Sequence, residues 1–437
     1  MRSGQRPGSL LIVPDRGGDT ANGVGRFLHN RAMTEALAAP LSAEDQQIQS
    51  MPDASPTKWH LAHTTWFFET FLLRPRLPGY RTYDERWGFL FNSYYEAVGA
   101  RHPRPQRGLL TRPSLDEVLR YRASVDDGMV RLLAREEGQG AETQALLELG
   151  INHEQQHQEL LLMDILHALS CNPMQPAYRG IADVAISENE EFTTEWIGFD
   201  GGLCAIGHVG HGFSFDNEAP RHQVYLRPFR LASRPVRNAD WIAFIADGGY
   251  RRPELWLSDG WMTVQMEGWQ APLYWQEKSK GMWSAMTLDG PQRLDPAAPV
   301  CHVSYYEADA FARWAGKRLP SEAEWEVGAA RCTMDGGNLL GSGALRPRAE
   351  KGPHGPGLRQ MFGDVWEWTG SAYAPYPGFR PVAGAVGEYN GKFMCNQMVL
   401  RGGSCVTPDG HIRATYRNFF YPHQRWQFAG VRLAEDA

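Results

Sequence analysis

The sequence has no long apolar run; its longest, such as Leu160–Met163, fall far short of the ~20 residues that a membrane helix needs. It has no Lys/Arg block. With a formal net charge of -6 at pH 7, there is no electrostatic footprint for nucleic acid. The N-terminal stretch carries Arg2 and Arg6 but neither an apolar region nor a clear cleavage site, so no secretory signal is expected. Six cysteines (Cys171, Cys204, Cys301, Cys332, Cys395, Cys405) include no Cys-x-x-Cys pair. In a chain this large they read as reduced thiols of a cytoplasmic protein, not a disulfide scaffold. No internal repeat is found. These absences leave a polar small molecule as the expected partner and homo-oligomerisation open.

What is present points to more than one domain. A chain of 437 residues is too long for one ordinary core. Of its 15 tryptophans, three precede residue 195 and twelve follow it, so the two parts are built differently. Residues 1–28 read as a flexible tail. Residues 29–171 read as a helical bundle, with helices expected at Thr34–Ser50, Pro56–Leu73, Ser114–Glu137 and Glu142–Ser170. Ser114 with Glu117 is a capping-box pattern. The connection 74–113, rich in Pro, Gly and aromatics, is too long for a passive turn. Residues 172–195 form a polar linker. From 196 to 437, Gly pairs, prolines and short apolar segments predict an irregular α+β domain, with helices at Asn238–Asp247 and Ser304–Ala315.

Residues 151–162, Ile-Asn-His-Glu-Gln-Gln-His-Gln-Glu-Leu-Leu-Leu, contain His-Glu-x-x-His, which on a helix is the pattern of zinc metalloproteases. On a 3.6-residue period Leu146, Leu149, His153, His157, Leu160, Leu161 and Asp164 share a stripe, so both imidazoles face the bundle interior. A lone inward histidine is ordinarily a hydrogen-bonded core residue; two at i, i+4 can converge on one ion. The third ligand separates the metal hypotheses. The Gly and His that metzincins place downstream are missing, Leu160 and Met163 standing at those spacings. A downstream Glu (Glu188, Glu190 or Glu191) would be the gluzincin choice, with no other protease feature beside it. Upstream, in Ser-Pro-Thr-Lys-Trp-His-Leu-Ala-His-Thr-Thr-Trp-Phe-Phe-Glu, His63 sits among Trp59, Trp66 and Phe67 and is the better-supported third ligand, with His60 its competitor. Three neutral histidines leave about half of an octahedral shell open, which suits Fe(II) binding substrate and O₂ together.

Two further stretches, Lys317–Ala330 (Lys-Arg-Leu-Pro-Ser-Glu-Ala-Glu-Trp-Glu-Val-Gly-Ala-Ala) and Phe362–Thr369 (Phe-Gly-Asp-Val-Trp-Glu-Trp-Thr), resemble the formylglycine-generating-enzyme fold, a C-type-lectin-like domain. Arg401–Ser404 and Ala429–Leu433 fit it too. Most of these residues read as packing and turn positions, which identify a fold and not a chemistry. The cysteine pair that formylglycine formation needs is missing, since Cys405 is the last cysteine.

A metal-binding bundle ahead of such a domain resembles the iron-dependent sulfoxide synthases of ergothioneine biosynthesis, the hercynine oxygenases, in their cysteine-using branch. The resemblance covers about residues 30–435. It rests on Ser55–Glu69, Phe91–Gly99, Asn152–Glu159, the motifs above and Arg417–Phe420, and it argues against a protease. The fold it implies is α+β: a DinB-like four-helix bundle, then the formylglycine-enzyme-like domain. His63, His153 and His157 would hold Fe(II). The enzyme would join L-cysteine to C2 of Nα,Nα,Nα-trimethylhistidine (hercynine) with O₂. Gln156 would hydrogen-bond the substrate imidazole, and Asn418 and Phe419 would line the trimethylammonium site. Tyr95, before Tyr94, would be the proton donor. Arg101, Arg104 and Arg107 are candidates for substrate carboxylates. Members that use γ-glutamylcysteine carry Trp-Asp where this chain has Phe419-Phe420, so Phe420 points to free cysteine. The same reaction with γ-glutamylcysteine, a thiol dioxygenase and a non-catalytic binding module are the alternatives.

Overall fold

The computed structural model describes residues 23–180, 194–350 and 357–437. Two compact units result: one takes the N-terminal residues to 182 together with Val382–Tyr389, the other takes 183–381 and 390–437. Most of the expected tail and linker, with Glu188, Glu190 and Glu191, lies outside the described residues. No described helix is long and apolar enough to cross a membrane.

The first unit is built on four helices: Gly23–Ala38, Thr57–Phe68, Leu115–Leu133 and Ala141–Ser170. The first begins inside the predicted tail and ends twelve residues before Ser50, where Thr34–Ser50 had been expected. Its inward face explains the miss. Asn30, Arg31 and Thr34 are buried beside Phe27 and Leu37, so the stripe is half polar and invisible to an apolar count. Pro40 cannot continue the helix. The second helix runs from Thr57 and passes at Glu69 into one π turn, Glu69–Leu73. Such turns recur where a helix carries function. The buried Glu69 accepts hydrogen bonds there from Tyr121 at 2.6 Å, Tyr80 at 2.7 Å and the Tyr83 amide at 2.8 Å, tying the long connection to the bundle.

Ser114 caps the third helix as predicted, accepting from the Glu117 amide while Glu117 accepts from the Ser114 amide. The fourth helix is the long one. From Gly150 to Leu166 it is buried on nearly every side. Above the metal motif the buried residue is Leu147, whereas Leu146 and Leu149 are only half-buried. A Cβ at Gly150 would stand 2.5 Å from the Phe68 ring, so only glycine lets the second and fourth helices approach this closely.

In the second unit the four-stranded sheet orders Asn418–Phe420, Met398–Arg401, Trp366–Ala372 and Ala429–Gly430, the last pair parallel. The sequence motifs are its core. Arg432 grips the buried Glu367 at 2.7 Å, and Trp325 donates to the same carboxylate at 2.6 Å. Arg401 pairs with Glu326 at 3.0 Å. Gly402 has φ of 103° with the Met361 carbonyl 2.7 Å from where a Cβ would sit. The two expected helices are Asn238–Ala246 and Tyr305–Trp314; Ser258–Glu267 and Glu322–Ala329 were not anticipated as helices.

Candidate metal centre

His63 comes from the second helix, His153 and His157 from the fourth, and their ligand atoms all lie within 4.8 Å of one another in the interior of the first unit. They are the only cluster of this kind among the described residues. His63 Nε2 and His153 Nε2 stand 3.2 Å apart. The His63 Nδ1 faces the Phe91 carbonyl at 2.6 Å, which places its proton on Nδ1 and leaves a lone pair on Nε2. His153 Nδ1 is buried with no hydrogen-bond partner. Burial pushes the His153 imidazole down to about 4, and burial followed by its histidine neighbours pushes His157 well down. All three are therefore neutral near pH 7, as metal ligation requires. Three buried imidazoles whose ring nitrogens converge, one pair at 3.2 Å, with no carboxylate in the group fit a metal with neutral nitrogen donors. Imidazole sets of this kind suit iron, copper, nickel or zinc.

His60, the competitor for the third ligand, is not in the group. Its Nδ1 stands 2.8 Å from His157 Nδ1 and its Nε2 3.1 Å from Asp164.

Glu154, the Glu of the protease pattern, faces away from the histidines. It is enclosed by Arg122 at 2.6 Å, Thr34 at 2.7 Å and Arg31 at 3.2 Å. Burial alone would raise it, but Arg122 and Arg31 hold its carboxyl below the usual range. A carboxylate clamped by two guanidiniums cannot deprotonate a metal-bound water.

Aromatic rings wall the centre. Trp59 stacks on His63 at 4.6 Å, Trp66 lies 5.6 Å from His63, and Phe67 lies 4.8 Å from His153. Trp66 and Phe67 also touch Tyr95, at 5.7 and 6.5 Å. The tyrosine ring is thus one aromatic layer from two of the histidines. Tyr95 is buried; burial pushes its hydroxyl well above the ordinary phenol range, so it keeps its proton. The Tyr94 and Tyr95 hydroxyls are hydrogen-bonded to each other, and burial pushes Tyr94 well up too. The loop is held by Asn92, whose amide donates to the Tyr95 and Gly99 carbonyls at 3.0 Å.

Gln156 is half-buried and accepts from the Tyr389 hydroxyl at 3.2 Å. Tyr389 stacks on Tyr94 at 5.0 Å, and the Glu388 carboxylate takes the Ala97 and Glu96 amides at 2.8 and 3.0 Å. Neither Glu388 nor Tyr389 was found from the sequence, because they lie some 290 residues from the loop they touch and outside every apolar period.

The three arginines separate. Arg101 is exposed, pairing with Glu96 and the Ser93 carbonyl, and Arg104 is exposed with its guanidinium on the Asp53 carbonyl. Arg107 is 4% exposed. It lies 3.3 Å over the Trp59 ring and donates to Ser55 at 2.9 Å and Ser93 at 3.1 Å, with its Nε unpartnered. Burial pushes it well down, and no carboxylate among the described residues is hydrogen-bonded to it.

Asn418, Phe419 and Phe420 belong to the second unit, on the edge strand of its four-stranded sheet. Phe419 stacks on Tyr373 at 4.1 Å; Phe420 is half-buried, edge-on to Trp426 at 5.6 Å.

Comparison with known proteins agrees with both halves of this architecture. Residues 183–437 match the Sulfatase-modifying factor enzyme 1-like domain, and residues 26–161 match the DinB superfamily. The formylglycine-generating enzyme of Streptomyces coelicolor is 31% identical over 54% of this chain and 88% of its own length. Two mycobacterial hercynine oxygenases match more of the chain. That of Mycolicibacterium thermoresistibile is 33% identical over 88% of each chain, and that of Mycobacterium tuberculosis is 33% identical over 88% of this chain and 92% of its own. With that identity over 88% of its length, the chain belongs to the hercynine oxygenase family.

Proposed function

We propose that the protein is a non-haem iron(II) sulfoxide synthase of ergothioneine biosynthesis, joining L-cysteine to C2 of hercynine with O₂. One observation carries the reading: a buried three-histidine cluster containing no carboxylate stands one ring away from a buried, protonated tyrosine. The overall change balances as thiol plus imidazole C–H plus O₂ giving sulfoxide plus water. One oxygen atom ends on sulfur, and the other leaves with the hydrogens of S–H and C2–H. Fe(II) held by His63, His153 and His157 would supply O₂ activation. The neutral set favours an anionic thiolate as a further ligand over the two-His-one-carboxylate alternative. The six free cysteines fit a reducing, cytoplasmic setting.

The remaining roles fall to the chain's own groups. Arg107, buried without a bonded carboxylate, is better suited to a substrate carboxylate than Arg101 or Arg104, which are solvated; a charged pair there is worth more than at the surface. Gln156, whose oxygen accepts from the Tyr389 hydroxyl, would hydrogen-bond the substrate imidazole. Asn418 and Phe419 provide an amide dipole and a ring face, the groups by which a quaternary ammonium with no N–H is recognised.

Tyr95 is the proton donor in this reading. Tyr95→Phe removes one hydroxyl from a packed ring, so folding and iron content should persist while sulfoxide falls and cysteine sulfinate rises, as quantified by mass spectrometry. Unchanged products in Tyr95→Phe with a shift in Tyr94→Phe would transfer the role to Tyr94. A thiol dioxygenase, the runner-up reading, would oxidise cysteine equally well without hercynine.

Thiol choice rests on Phe420. A phenylalanine cannot accept from the ammonium of a glutamyl group, and a lost charged hydrogen bond costs about 1.5–3 kcal/mol, roughly one to two orders of magnitude in discrimination. In competition between equal cysteine and γ-glutamylcysteine, the cysteine product should predominate. Predominance of the γ-glutamyl product would leave Phe420 as a packing residue against Trp426 and remove the cysteine assignment.

A further inference from the structure

Behind His157 stands a hydrogen-bonded line that the proposed chemistry does not use. Asp164 Oδ2 accepts the Ser55 backbone N–H at 2.7 Å and lies 3.1 Å from His60 Nε2; His60 Nδ1 lies 2.8 Å from His157 Nδ1. His60, Asp164 and His157 are 2%, 5% and 6% exposed. We infer that Asp164 and His60 are positioning residues that fix the tautomer and ring orientation of His157 at the metal centre. This rests on the reading of His157 as a ligand.

The tautomers follow one from another. A carboxylate oxygen that already takes an amide N–H accepts from its second partner too, so His60 carries its proton on Nε2 and donates to Asp164. With that proton on Nε2, His60 meets His157 through its Nδ1 as acceptor, and only a His157 carrying its proton on Nδ1 can complete that contact. His157 Nε2 is left with its lone pair free to join those of His63 and His153. The contact also joins two helices: Asp164 and His157 are two turns apart on one, and His60 reaches them from another, so the imidazole of His157 is held at its Nδ1.

The three candidate ligands therefore have three different supports. His63 is backed by the Phe91 carbonyl, His157 by a histidine and a carboxylate, and His153 Nδ1 by nothing. A carboxylate-backed imidazole is the stronger donor, and loss of such support typically weakens metal affinity about 10–100-fold. The competing explanation is that His60 and Asp164 only pin the start of the second helix to the fourth.

The test uses the full chain, freed of metal and titrated anaerobically with Fe(II), and with Co(II) as a spectroscopic probe. His60→Ala and Asp164→Asn should each weaken both metals about 10–100-fold, with an altered Co(II) visible spectrum and a retained helical circular-dichroism signal. His60→Asn places an amide oxygen near where Nδ1 stood, able to accept from His157, and should recover most of the affinity lost in His60→Ala. Parental affinities and spectra in all three variants, with only the metal-free melting temperature lowered, would overturn the inference. So would complete loss of metal in His60→Ala alongside full retention in His63→Ala, since His60 would then be a ligand. Parental affinity in His157→Ala would instead defeat the ligand reading on which the inference rests.

Discussion

His153→Ala and His157→Ala should each leave the protein with almost no bound iron and no coupled product. The cluster holds three neutral nitrogens and no carboxylate, so nothing compensates for a lost donor, and a two-histidine remnant binds divalent iron weakly. The two side chains project one turn apart from a helix buried on nearly all sides, so the remaining ring cannot swing to fill the vacancy. His63→Ala should do the same, but it also opens a hole where Trp59 and Trp66 pack on the imidazole; His63→Gln keeps more of that volume. Iron quantification beside circular dichroism separates loss of metal from loss of fold. Full iron in His63→Gln with none in His60→Gln would reassign the third ligand.

Glu154→Ala should act on folding. The carboxylate neutralises Arg31 and Arg122, both fully buried, and without it Asp126 on Arg31 and the half-exposed Glu35 on Arg122 remain as the ion-pair partners. Breaking a buried pair by removing one member costs about 3–5 kcal/mol. For a unit of this size that is a fall of roughly 6–20 °C in melting temperature. Calorimetry of the metal-free protein measures it directly. A protease base in the same position would give the opposite pattern, with activity lost at an unchanged melting temperature.

Much of this was readable from the residues. Helices two, three and four were visible because an apolar stripe, a capping box and an uninterrupted run of good helix formers each leave a pattern with a period. The histidine pair was visible because polar groups stand where the period demands Leu. The first helix was displaced because its inward face carries Arg31, a charge whose burial only its partners from three other helices explain. The sequence already favoured His63 over His60; what needed three dimensions is the partner of each imidazole, the Phe91 carbonyl for His63 and Asp164 with His157 for His60. Arg107 stood out from Arg101 and Arg104 for the same reason: burial by Trp59 and two serines is a tertiary fact. Glu388 and Tyr389 left no local trace, because their role comes from a segment of the C-terminal half that packs within the first unit.

The central claim is that iron, hercynine and a thiol meet in one reaction. Its most direct test is mass spectrometry of the products formed by Fe(II)-loaded protein with hercynine, cysteine and O₂, with O₂ uptake followed in parallel. The account predicts one dominant product, with the mass of the two substrates joined by loss of two hydrogens and gain of one oxygen, and no O₂ uptake when either organic substrate is omitted. Cysteine sulfinate formed at the same rate with or without hercynine, and hercynine recovered intact, would contradict it.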